Sequence, residues 1–184
     1  MKYKYILFDL DGTITESGSG IMNSVEYALN KMNREVGDRD TLKKFIGPPL
    51  TESMEKYYGM SEEEALLGVK YYREYYAVKG IFENSVYEGL AETLESLKNE
   101  GYILAVATSK PEEYAKRIAD KFDFAKYFAG IYGATMDGSL IRKADVIRYA
   151  LDNLGVEREN YDQVVMVGDR NNAVSYTHLT LPTN

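Results

Sequence analysis

The sequence predicts an α/β protein: a parallel sheet core flanked by helices, with an all-helical segment inserted early in the chain. Short runs rich in branched and aromatic residues recur at 3–10, 102–107, 128–133 and 164–167. From residue 91 onward, helical periodicity alternates with these runs, the rhythm of a parallel sheet with right-handed crossovers. The stretch from 18 to 84 lacks that rhythm and reads as helix, so it is expected to leave the sheet and rejoin it.

Each element has a local reason. Residues 3–10 (Tyr-Lys-Tyr-Ile-Leu-Phe-Asp-Leu) end at Asp11-Gly12, a strand running into a turn. Ile21, Val25, Leu29 and Met32 fall at helical spacing, with Asn23-Ser24 as the expected cap. Gly47-Pro48-Pro49 breaks the next helix, and Ser61-Glu62-Glu63-Glu64 resembles a capping box opening another. That helix carries Tyr71, Tyr72, Tyr75 and Tyr76, whose spacing predicts packing within the insertion. Residues 91–99, 111–121 and 144–154 read as helices, and 164–167 as a strand ending at Gly168-Asp169. The expected organisation is a discontinuous core of 1–17 and 85–173, a helical cap of 18–84, and a tail of 174–184.

Composition narrows the function classes. The chain has 184 residues, 45% hydrophobic and 28% charged, the balance of an ordinary globular protein. It has no cysteine, which removes disulfides, thiolate metal sites and a cysteine nucleophile. A net charge of −7 without a basic block argues against nucleic-acid partners. No run is apolar enough to span a membrane, and Met1-Lys2 leads straight into a strand-like segment, so a cytoplasmic location is expected. The acidic balance repels phosphate esters at long range, so any phosphate site must be made locally by a cation, a lysine and backbone N–H groups.

Polar residues gather where that site would be. Asp9 and Asp11 end the first strand, Thr108-Ser109-Lys110 the second, and Asp169-Arg170 the last, while Lys143 begins a helix. In a parallel sheet the carboxyl ends share one edge, where ligands bind. Carboxylates at Asp9, Asp11 and Asp169 supply the oxygen ligands that Mg²⁺ prefers, and a carboxylate can attack phosphorus to form an aspartyl-phosphate. Lys143 would neutralise the phosphoryl group, and Thr108 with nearby N–H groups would hold it. Taken singly, each has a plainer role: Asp-Gly as a turn, Thr108-Ser109 as a helix cap, Lys143 and Asp169 as solvated charges. Their joint placement at strand ends favours catalysis.

Phe8-Asp9-Leu10-Asp11-Gly12-Thr13 resembles the first motif of the haloacid dehalogenase (HAD) superfamily. Thr108-Ser109-Lys110, Lys143 and Gly168-Asp169-Arg170 match its second, third and fourth motifs, in order. The resemblance implies a Rossmann-like core and a Mg²⁺-dependent phosphatase acting on a small phosphomonoester. By that resemblance Asp9 is nucleophile and metal ligand. Asp11 protonates the leaving oxygen, then activates water, its carbonyl also reaching the metal. Thr108 holds the phosphoryl group, Lys143 bridges it to Asp9, and Asp169 anchors the metal. The second acid, Asp11, disfavours dehalogenation. A further Asp usual in the family is replaced by Ala173.

Strings in the insertion, among them Thr15-Glu16-Ser17 and Phe45-Ile46-Gly47-Pro48-Pro49-Leu50, resemble the C1-type cap of the phosphoglycolate phosphatase-like branch, nearest its 5′-nucleotidase-like proteins. They imply phosphoglycolate or a 5′-nucleotide as substrate, chosen near Glu16, Gly47 and Pro48, with Thr108 and Ser109 binding its phosphate. A monomer or homodimer is expected. A β-phosphoglucomutase-like phosphomutase shares the core motifs and is the alternative enzyme.

The run 174–184 has no periodicity and resembles the translation of a transposase-type sequencing adapter. It is set aside as non-native, along with His178, the one histidine. The core is then expected to be incomplete at its C-terminus, exposing a sheet edge, so an inactive fragment or binding module is the rival from another class.

Overall fold

The computed structural model describes residues 2–169. The chain divides into two compact units, one made of its start through Thr15 together with the chain from Val86 onward, the other of Glu16–Ser85.

The first unit opens with β1 (Tyr5–Phe8), whose Tyr-Ile-Leu-Phe run suits a strand covered on both faces: Ile6, Leu7 and Phe8 are buried. The expected strand began at residue 3 and ended at 10; the observed one is shorter because Leu10 instead anchors the loop that follows. Its carbonyl accepts from the backbone N–H groups of Thr13, Ile14 and Thr15. The chain crosses between units at β2 (Thr15–Glu16).

The second unit contains α1 (Gly18–Lys31), a 3-10 helix (Arg39–Phe45), α2 (Leu50–Tyr58), α3 (Glu62–Tyr76) and a 3-10 turn (Gly80–Phe82). Ile21, Val25, Ala28 and Leu29 form the buried stripe of α1. Asn23-Ser24 is not its cap. The helix begins nearly two turns earlier, with Ser17 at the N-cap position, and Ser24 lies inside it donating its hydroxyl to the Gly20 carbonyl at 2.6 Å. Pro49 precedes the first residue of α2, where a rigid φ is tolerated. A reciprocal capping box opens α3: Ser61 Oγ accepts from Glu64 N–H at 3.3 Å, and Glu64 Oε2 accepts from Ser61 N–H at 2.9 Å. Tyr72 and Tyr76 are buried and stacked, with ring centroids 5.2 Å apart, and the Tyr75 hydroxyl donates to Glu83 at 2.9 Å.

The chain returns through β3 (Ser85–Val86), which pairs with β2 in a separate two-stranded sheet. Then α4 (Leu90–Asn99), β4 (Ile103–Pro111), α5 (Glu112–Lys121), β5 (Gly130–Ala134), α6 (Lys143–Asn153) and β6 (Val164–Val167) alternate. The main sheet is parallel in the order β5-β4-β1-β6. Leu7, Ala105, Ala107 and Met166 form one face and pack on Val146, Ile147, Ala150 and Leu151 of α6. Alternation sends Ile6, Phe8, Leu104 and Val106 to the other face, where Phe8 meets Phe128 edge-on at 5.9 Å.

The strand order sets the site. β1 is interior, with β4 on one side and β6 on the other, so the order reverses at β1 and a crevice opens at its carboxyl end. β4 continues past the expected end at Ala107, because Thr108 still pairs with Gly133 and Pro111 with Ala134. Among the described residues no helix is long and apolar enough to cross a membrane. The expectations for Arg170, Ala173, His178 and the run 174–184 fall outside the described residues.

Candidate active site

The end of β1 builds the floor. Asp9 N–H donates to the Val167 carbonyl at 2.9 Å, which continues the β1–β6 ladder one residue beyond Phe8 and fixes where the Asp9 side chain starts. Leu10 N–H donates to Asp9 Oδ1 at 2.8 Å. The chain then turns sharply: Gly12 has φ +80°, and its N–H donates to the Thr15 carbonyl at 2.8 Å. This loop swings Asp11 back over the sheet edge.

Lys143, the first residue of α6, reaches Asp9 from the side, with Nζ 2.6 Å from Asp9 Oδ1. Its side chain is only 10% exposed. Burial pushes its ammonium below the ordinary lysine range, and the carboxylates of Asp9, Asp11 and Asp169 pull it back up. One buried cation thus feels all three acids. Its Nζ makes no well-directed hydrogen bond, which leaves donor capacity for an anionic ligand.

At the end of β6, Asp169 N–H donates to Thr13 Oγ1 at 3.2 Å, tying the first and last strand ends together. The Asp169 carboxylate lies against Gly12: a Cβ built on Gly12 would stand 2.4 Å from Asp169 Oδ2. Gly12 is therefore required twice, by its positive φ and by this close approach.

Thr108 is buried at the end of β4, and its Oγ1 accepts from Lys110 N–H at 3.2 Å. Ser109 is exposed. Between Thr108 and Pro111 the register with β5 breaks, so Ser109 and Lys110 form a bulge. The bulge turns Lys110 inward, where its Nζ lies 3.0 Å from Asp11 Oδ2; the two side chains are 5% and 13% exposed. The sequence expectation did not assign this lysine a role. Its position two residues beyond Thr108 was visible, but the bulge that aims it was not.

Asp9, Asp11, Lys143 and Asp169 thus share the one sheet edge, as their positions at strand and helix ends predict. Glu16, Gly47 and Pro48 belong to the second unit. There Glu16 and Ile46 both approach Gly18: a Cβ on Gly18 would lie 3.0 Å from Glu16 Oε1 and 3.2 Å from Ile46 Cδ1. Gly47 follows with φ +100°, which re-aims the loop before Pro48. Glu16 and Gly47 are exposed and Pro48 is half-buried.

The site fits a hard cation by its chemistry, Asp9 and Asp169 offering carboxylate oxygens and Asp11 its backbone carbonyl. Asp11 Oδ1 is buried with no hydrogen-bond partner among the protein groups, which leaves it to a reacting group. The side chains are arranged as ion pairs with Lys110 and Lys143 and not as a closed shell. Among the described residues no group of three or more acidic or histidine side chains converges closely enough to enclose a metal.

Comparison with known proteins agrees with this arrangement. Residues 6–176 match the family model described as haloacid dehalogenase-like hydrolase. A 5′-nucleotidase from Pseudomonas aeruginosa is 42% identical over 170 residues, covering 92% of this chain and 76% of its own length. A protein named tyrosine-protein kinase PtkA from Mycobacterium tuberculosis is 40% identical over 170 residues, covering 92% of this chain and 56% of its own length. The crystal structure of a "predicted phosphatase" from Clostridium acetobutylicum superposes with a TM-score of 0.89 at 47% identity, covering 96% of this chain and 80% of that one.

Proposed function

The chain belongs to the haloacid dehalogenase-like hydrolases and is a phosphatase, and from that premise we propose that it hydrolyses a small phosphomonoester through an aspartyl-phosphate on Asp9, with Mg²⁺ as cofactor. The observation that carries the reading is the buried Lys143 ammonium, 2.6 Å from Asp9 Oδ1, at the crevice where the strand order reverses.

Both Leu10 N–H and Lys143 hold Asp9 at Oδ1, which leaves Oδ2 as the attacking oxygen. Attack forms the Oδ2–P bond as the ester P–O bond breaks, and Asp11 protonates the departing oxygen. Asp11 then takes a proton from water as that water attacks phosphorus and frees Asp9. Lys143 offsets the charge of the phosphoryl oxygens, and Thr108 with Ser109 holds the group from the β4 side. Asp9, Asp11 and Asp169 are the residues that would hold Mg²⁺, which when bound neutralises phosphoryl charge and orders the reacting oxygens.

A 5′-nucleotide is the first substrate choice, supported by the relative of that activity, and phosphoglycolate the second, from the motif resemblance. Glu16, Gly47 and Pro48 are the proposed specificity residues. The proposed setting is a cytoplasmic monomer or homodimer that engages neither nucleic acid nor membrane.

Phosphate release from a panel of 5′-nucleotides, phosphoglycolate and sugar phosphates, with Mg²⁺ or EDTA, tests the reading. Asp9→Asn is expected to lower turnover by roughly three orders of magnitude or more, in line with the loss of a covalent nucleophile. Turnover that survives both Asp9→Asn and EDTA would refute it. Isomerisation of a sugar phosphate without phosphate release would favour a mutase. Transfer from ATP to a tyrosine hydroxyl would favour the activity in the name of the mycobacterial relative.

A further inference from the structure

We propose that Lys110 is a positioning residue for Asp11: it anchors one carboxylate oxygen so that the other is presented to the reacting ester oxygen and, later, to water. The inference rests on the reading of Asp11 as proton donor and acceptor.

Three features of the fold carry it. The first is the bulge at Ser109-Lys110. An undisturbed strand would alternate its side chains between the two faces of the sheet; the break in register between Thr108 and Pro111 frees Lys110 from that alternation. The bulge is built in from both sides. Thr108 Oγ1 accepts the Lys110 N–H, and Gly133 on β5 leaves room for the Lys110 carbonyl, which would lie 2.6 Å from a Cβ there. A side chain at 133 would push the bulge away.

The second is burial. The Lys110–Asp11 pair is 3.0 Å long, with 5% and 13% of the two side chains exposed. Taking both charges out of water is costly, and an apolar pair of similar volume would often serve stability as well or better. What the pair provides is a fixed orientation of the Asp11 carboxylate.

The third is the division of the carboxylate. Lys110 takes Asp11 Oδ2, while Asp11 Oδ1 is buried with no hydrogen-bond partner. One oxygen is held by a cation and the other has no protein partner. Asp9 is held in the same manner by Lys143 on its Oδ1. Two lysines from two different elements thus each fix one oxygen of one acid, and the Asp11 pair orients the group that carries the proton.

In the acid step the proton on Asp11 Oδ1 goes to the ester oxygen as its bond to phosphorus breaks. An alkoxide leaving group needs that proton, whereas dinitrophenolate departs without it. Loss of Lys110 is therefore expected to be selective for poor leaving groups, which loss of packing alone would not produce.

The experiment compares kcat/KM for an alkyl phosphate and for 2,4-dinitrophenyl phosphate, measured on the same preparation of the full chain. It uses the wild type, Lys110→Gln, Lys110→Arg and Asp11→Asn. The ratio of the two values is independent of how much of a variant is folded. Lys110→Gln is expected to lower the alkyl-to-dinitrophenyl ratio by roughly 10–100-fold, part of the usual contribution of general acid catalysis. Asp11→Asn should lower it at least as far, and Lys110→Arg, which keeps the cation, should restore most of it. An unchanged ratio in Lys110→Gln with a lowered ratio in Asp11→Asn would overturn the inference and leave the reading of Asp11 intact. An unchanged ratio in Asp11→Asn would overturn that reading, and this inference with it.

Discussion

Replacing Gly12 by alanine should damage activity out of proportion to stability. Gly12 has φ +80°, where a Cβ costs about 1–2 kcal/mol of backbone strain. That cost is shared by Gly89, which has φ +77° and open space, with nothing within 4 Å, where its own Cβ would stand. The two sites differ in what the new methyl meets. At Gly12 it would stand 2.4 Å from Asp169 Oδ2 and 2.8 Å from Asp169 Cγ, so the carboxylate must move. Urea unfolding of Gly12→Ala and Gly89→Ala should therefore give similar losses of about 1–2 kcal/mol. Phosphate release should separate them. Gly12→Ala is expected to lose roughly 10–100-fold in kcat/KM, the usual effect of disturbing a group that orients a reaction centre. Gly89→Ala, exposed at the start of α4, should stay within about twofold. Equal activity losses in the two variants, or an unaffected Gly12→Ala enzyme, would refute the argument that Gly12 makes room for Asp169.

Other consequences concern folding. Ser61→Ala removes one half of the α3 capping box and should cost about 1 kcal/mol of stability by urea unfolding. Glu64 is held below the ordinary carboxylate range by the Ser61 N–H and by Arg34. A depressed folded-state pKa stabilises above the unfolded value, and that contribution is lost as pH falls through the folded one. The stability difference between wild type and Glu64→Gln should therefore be present at neutral pH and shrink as pH falls below the ordinary glutamate range, as followed by unfolding at each pH. Leu7→Ala opens a hole between β1 and α6, where Leu7 is fully buried, and should cost about 2–5 kcal/mol.

Much of the architecture was legible because its signals are local. The Tyr-Ile-Leu-Phe run, the capping box at Ser61 and the apolar spacing of α1 each report on a few neighbouring residues, and each lies in an element of the expected kind. Boundaries were less legible where a tertiary partner decides them. β4 continues to Pro111 because β5 pairs with it there, and α1 starts at Gly18 because Ser17, a residue of the same capping class as Asn23-Ser24, takes the N-cap position. A residue type alone does not say whether its hydroxyl caps a helix or, like Ser24, bonds back to the preceding turn.

The candidate site divides in the same way. From the sequence came Asp9, Asp11, Thr108, Lys143 and Asp169 at element ends, and parallel pairing obliges strand ends to share an edge. The pairing of lysines with acids was decided only by the tertiary structure. Lys143 meets Asp9 because α6, packed against β4 and β5, begins at the sheet edge, and Lys110 meets Asp11 because a bulge in β4, whose carbonyl Gly133 makes room for, re-aims it. Spacing along a chain specifies which face or end of an element a residue occupies. Which atom it touches across the crevice depends on register, bulges and the room a glycine leaves, and these exist only once the strands have paired.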